Sequence, residues 1–82
     1  MQTYKLHIAK GKTYYCFKTG REEITLSDHW TTVKLKDSAS DGYVKYMGKA
    51  NLMKQIAKDE WKNIRMWQKI ELDNSDIEVV RE

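Results

Sequence analysis

Proline does not occur in the 82 residues, and cysteine occurs once, as Cys16. One thiol can form neither an intrachain disulfide nor a cysteine-based zinc site. Stability must therefore come from packing, which for so short a chain leaves a margin of only about 3–5 kcal/mol. Long apolar runs are missing too. The nearest approach is "YYCF" at 14–17, whereas a membrane span needs about 20 apolar residues and a signal peptide a run of roughly 7–15. No membrane segment is expected. The opening "MQTYKLHIAK" already reads as a strand, so the chain is expected to be cytoplasmic. Histidine occurs only at His7 and His29, and neither stands at a ligand-like spacing from another His or a carboxylate. No metal and no cofactor are expected, since a closed zinc site wants four ligands.

Arginine is scarce beside lysine, at Arg21, Arg65 and Arg81 only. The planar guanidinium is what reads guanine edges and phosphates bidentately, while lysine acts as a point charge. A lysine-rich surface thus suits loose phosphate contact better than base reading. The net charge of +3 hides an asymmetry. Residues 1–69 carry a balance of +7 and residues 70–82 one of −4. A basic body attracts an anionic partner, and an acidic last strand could pair with the basic part of a second copy as a homodimer.

What is present reads as a globular chain, with 40% hydrophobic and 33% charged residues spread along its length. "TYKLHIAK" and "TYYCFKT" flank Gly11-Lys12, a pair that suits a type II′ hairpin turn. That register would put Tyr4, Leu6, Ile8, Tyr15 and Phe17 on the core face. Lys5, His7, Tyr14, Cys16 and Lys18 would take the other. "TGRE" is a second turn, "EITL" a short strand, and "TTVKLKD" alternates with Val33 and Leu35 inward. The segment 41–48 is open to two readings. Asp41-Gly42 could close a hairpin, or Ser38 or Ser40 could cap a helix that starts at 41. Gly48 would cost about 1 kcal/mol inside a helix, which favours a start near Lys49. From there Ala50, Met53, Ile56, Ala57 and Trp61 make one stripe, continued by Ile64. The period then changes to two, with Ile64, Met66, Ile70 and Leu72 inward. "DNSD" turns the chain into a last strand, "IEVVR". The expected fold class is α+β: a small single domain over 1–82, an antiparallel β-meander, one main helix at about 49–62 and a C-terminal β-hairpin.

Several constellations can be set aside. His7 and Cys16 as cross-strand neighbours lack an orienting group, an oxyanion hole and a cleft. "KGK" and "TG" lack the repeated glycines and following helix of a phosphate cradle. "DNSD" lacks the glycine and closing glutamate of an EF-hand loop. Zinc-finger, helix-turn-helix and cold-shock signatures are absent. "GKTYYCFKTG" followed by a helix resembles the arm-binding domains of phage integrases in pattern only, and no function carries over.

The basic features are harder to dismiss. Lys54, Lys58 and Lys62 lie at i, i+4 and i+8 on one helix flank, and Arg65 and Lys69 follow. Trp67 and Tyr14, both expected to face outward, could supply stacking. Trp61 falls on the buried stripe instead. Aromatic side chains on an accessible face are also what protein interfaces use as anchors. The expectation is a non-enzymatic interaction protein, phage or mobile-element encoded, that docks on a larger host protein or nucleoprotein complex. It would inhibit a nucleic-acid-processing or defence machine in the manner of an anti-CRISPR protein. The alternative is a small basic regulator that binds DNA or RNA directly through the lysine-rich face.

Overall fold

Tyr4, Leu6 and Ile8 alternate with less buried neighbours and are themselves fully buried. That alternation marks a strand with one face on the core. In the computed structural model, which describes residues 1–81, this strand is β1 (Gln2–Ile8), the centre of a three-stranded antiparallel sheet. Its neighbours are β4 (His29–Leu35) and β6 (Glu78–Arg81), with Tyr4 opposite Val33 on one side and Arg81 on the other. A second three-stranded sheet centres on β2 (Thr13–Cys16), between β3 (Arg21–Ile24) and β5 (Ile70–Leu72). The class is α+β, with one main helix. No helix among the described residues is long and apolar enough to cross a membrane.

The first expected hairpin does not form. β1 and β2 belong to different sheets, because the link between them bonds to Thr25 instead of closing on itself. Gly11 takes a φ of +87° and donates to the Thr25 carbonyl at 2.9 Å, while the Thr25 amide donates to Lys12 at 2.7 Å. The Thr25 hydroxyl adds a bond to the Ala9 carbonyl at 2.8 Å and accepts from the Lys12 amide at 3.0 Å. Every polar group of this buried threonine is thereby used, as burial demands. The consequence for β2 is a reversal of faces. Tyr14 and Cys16 point into the core, and Tyr15 and Phe17 point out. His7 and Cys16 are therefore not neighbours.

The C-terminal hairpin is also replaced. β5 pairs with β2 and β6 pairs with β1, so the 3-10 turn Asn74–Asp76 carries the chain from one sheet to the other. Ile77, just after it, is buried between them in sequence.

The helix α1 runs over Asp41–Ile56, starting earlier than the position near Lys49. Ser40 caps it, its hydroxyl accepting from the Tyr43 amide at 3.2 Å. Gly48 sits inside the helix for a packing reason. A Cβ there would lie 2.7 and 2.9 Å from the Leu6 methyls and 3.2 Å from Val33, so glycine lets helix and sheet approach. The buried positions are Val44, Gly48, Leu52 and Ile56. Ala50 is exposed and Met53 only half-buried, so the stripe read from the sequence is rotated relative to the true one. One π-helical turn, Ala57–Trp61, extends the helix, and Lys62 ends it in the left-handed region at φ +53°. Residues Ile64–Lys69 then form a 3-10 segment rather than a strand, which leaves Ile64 exposed and Met66 buried.

Candidate functional site

The site is set by where β2 ends. The Phe17 amide donates to the Lys69 carbonyl at 2.7 Å, joining the end of β2 to the start of β5. Phe17 is 62% exposed, and its ring meets that of Tyr15 at 4.7 Å and 74°. Beside it opens a cavity of about 360 Å³ lined by Phe17, Lys18, Asn63, Arg65, Met66 and Lys69. Asn63 shapes the near wall, its side chain accepting from the Arg65 amide at 3.1 Å and so fixing the turn that presents Arg65. Lys18, Arg65 and Lys69 form no ion pair among the described residues. Three cations gathered around an exposed ring, without a carboxylate, form an anion-attracting surface.

A larger hollow of about 590 Å³ lies at the other end of the first sheet, between Met1, Leu35 and Tyr43. One cation, Lys36, lines it, and it brings together no charges that would select a ligand.

A buried polar network ties the end of the helix to β2 and β4. The π turn aims Asp59 and Glu60 at His29, whose Nδ1 lies 3.2 Å from Asp59 and Nε2 3.1 Å from Glu60. The Glu60 side chain is 4% exposed and also accepts from the Leu26 amide and the Tyr14 hydroxyl, the latter at 3.3 Å. Burial, opposed in part by the Trp61 hydrogen bond and aided by the Glu60 charge, pushes the Tyr14 phenol up to about 12. Ser27 approaches His29 Nε2 at 3.5 Å, and with Asp59 this has the outline of a nucleophile–base–acid triad. Glu60 occupies the same nitrogen at shorter range, and the imidazole is fully buried. The nitrogen that would have to take a serine proton is thus already engaged. Among the described residues no three His, Cys, Asp or Glu side chains converge as a metal-ion ligand set.

The residues singled out from the sequence separate into three groups. Arg65 and Lys69 reach the groove. Lys54 covers Trp67, its ammonium 5.0 Å from the ring centroid, while Trp67 packs half-buried against the core. Its ring is a shelf for the lysine rather than an open platform. Lys58 and Lys62 are exposed on the helix and its end, outside the groove lining. Tyr14 is corrected outright: it is buried, and its hydroxyl serves the Glu60 network. Phe17 and Lys18 were missed. The signal available was the double tyrosine before Cys16, which makes either face of β2 apolar and so removes any certainty about which rings face out.

Compared with protein-family models, curated proteins and solved structures, the chain finds no significant match.

Proposed function

We propose that the protein is a non-enzymatic docking module that seats its basic end on a larger nucleoprotein complex and obstructs it. The observation that carries this reading is the groove at Phe17, where Lys18, Arg65 and Lys69, with no ion pair among the described residues, surround an exposed ring. Like charges held together raise one another's energy, and a polyanion relieves that repulsion while releasing its own counterions. An accessible aromatic at the centre of such a patch is the residue class that anchors interfaces. Lys54, Lys58 and Lys62 extend the positive surface along the helix, where they steer encounter more than they hold the partner. A host machine that carries RNA or DNA, for nucleic-acid processing or defence, is the partner this chemistry fits. A phage-encoded inhibitor of that machine is the role.

The test compares the complexes captured from the native host by the tagged protein and by a Lys18→Glu, Arg65→Glu, Lys69→Glu variant. All three side chains are solvent-exposed, so the variant should melt like the parent. Loss of both capture and inhibition supports the reading. A folded variant that still captures and inhibits the same machine moves the docking surface elsewhere.

The second reading, direct binding of free duplex DNA or RNA by a small regulator, draws on the same charges. It requires an affinity for generic duplex that falls steeply as salt rises. No shift of the protein by duplex at low salt removes it.

A further inference from the structure

The outer face of the second sheet carries a charge gradient along two rings. Tyr15 stands between Glu22 on β3 and Glu71 on β5, its direct partners on either side. Phe17, one alternation further on, stands beside Lys69 and in the cavity with Lys18 and Arg65. Acid therefore flanks one ring and base flanks the other, with the two ring centroids 4.7 Å apart. The two carboxylates are not equivalent. Glu71 is bound by the Lys49 ammonium, whereas Glu22 forms no ion pair among the described residues.

We infer that this face binds one nucleotide of a single strand. The phosphate lies among Lys18, Arg65 and Lys69, the base stacks on Phe17, and its exocyclic amino group points to Glu22. The inference rests on the reading that the groove meets nucleic acid, and it names which form and which bases. A phosphate is repelled from the Tyr15 end by Glu22, whose charge no ion pair among the described residues offsets, so the polarity of the bound nucleotide is fixed. The base must be unstacked from its neighbours to lie on the ring, which excludes duplex. The Tyr15 ring, at 74° to that of Phe17, braces it, and the cavity lining offers the single ring of Phe17, so one base is held rather than two. A carboxylate accepts from the amino groups of cytosine and adenine and from the N1 and N2 hydrogens of guanine. Uracil and thymine present carbonyl oxygens on either side of their single donor, and a carboxylate repels these.

Fluorescence anisotropy with labelled 12-residue oligo-dC, oligo-dT, oligo-rC and oligo-rU, at low and at moderate salt, tests this on the intact protein. Inorganic polyphosphate serves as the ring-free polyanion. Cytosine strands should bind several-fold more tightly than thymine or uracil strands. Phe17→Ala should weaken the binding of every oligonucleotide by about tenfold and leave polyphosphate unchanged. Glu22→Gln should abolish the difference between cytosine and uracil without weakening uracil. Phe17 and Glu22 are both exposed, and a thermal melt checks that each variant stays folded.

Equal binding of all four strands, with Phe17→Ala behaving as the parent, overturns the inference and leaves a plain polyanion surface. Binding of no oligonucleotide, while host-complex capture still depends on Lys18, Arg65 and Lys69, overturns it and leaves the docking reading in place. Failure of both assays removes the two together. Parallel deoxy and ribo arms report whether the 2′-hydroxyl contributes.

Discussion

The indole Nε1 of Trp61 donates to the hydroxyl oxygen of Tyr14 at 3.0 Å, joining the end of the helix to the centre of the second sheet. Through Glu60 and His29 the same network reaches β4, so three elements share one buried polar cluster. Phe17 lies just past the end of the strand that carries Tyr14, exposed where Tyr14 is buried.

Tyr14→Phe removes both the acceptor for Trp61 and a donor to Glu60, and should cost about 1–3 kcal/mol in urea unfolding. The parent should also lose stability in alkali in a way the variant does not. The folded phenol titrates near 12 against 10.0 for the free group. Its contribution is therefore complete below pH 10 and declines as pH rises through about 12, by about 2–3 kcal/mol. Melts of both proteins between pH 9 and 12 should converge as this happens. Parallel curves would show that Tyr14 does not carry the alkaline loss.

Glu60→Ala should be among the most damaging single changes, at about 3–5 kcal/mol, because it strands His29, Tyr14 and the Leu26 amide. Asp59, which is 49% exposed, faces the same imidazole. Its change to Ala should cost about 1 kcal/mol or less, since water replaces it. Chemical denaturation of the two variants side by side checks the order, and equal losses would mean that burial is not what makes Glu60 costly.

Gly48→Ala should destabilise the parent by about 1 kcal/mol. The gain in helix propensity, about 1 kcal/mol, is outweighed by overpacking against the fully buried Leu6. In a Leu6→Ala background the same change should become stabilising, because the added methyl enters the space left behind. A double-mutant cycle reads this reversal of sign directly.

Trp67→Ala should cost about 2 kcal/mol of stability, since the ring is packed against the core. Lys54→Ala, which removes the ammonium over the ring together with the methylene chain that carries it, should cost about 0.5–1 kcal/mol. Any loss of partner binding by Trp67→Ala is accordingly to be compared at a temperature where the variant is fully folded. Trp67→Phe, which keeps most of the packing, should retain both stability and binding.

Local pattern alone identified β1, with Tyr4, Leu6 and Ile8 in one phase, because polar residues occupy the other phase. It also located the turns at Gly11 and Gly20, both of which adopt a positive φ. The helix was legible in its second half and ambiguous in its first, for a definite reason. Tyr43, Tyr46, Met47 and Ala50 form an exposed apolar stripe at helical spacing, beside the buried one through Val44, Gly48 and Leu52. Two stripes on one helix blur the period that would reveal either. Of the candidate site, Arg65 and Lys69 were recoverable as cations near an aromatic. The ring they meet was not, because it comes from a strand some fifty positions earlier in the chain.

The strand at Gln2–Ile8, the second half of the helix, a small core and the net positive charge of residues 1–69 were readable from the chain alone. Those follow from residue periodicity, length and composition, which act locally. Only the tertiary structure decided which strands pair. Thr25 captures the Gly11-Lys12 link, β2 joins β3 and β5 instead of β1, and its faces reverse as a result. That single choice of partner buried Tyr14, exposed Phe17 and placed Lys69 beside it. Side chains alternate across a strand with a period of two, so the direction of the whole set is fixed by pairing, and pairing is a long-range property.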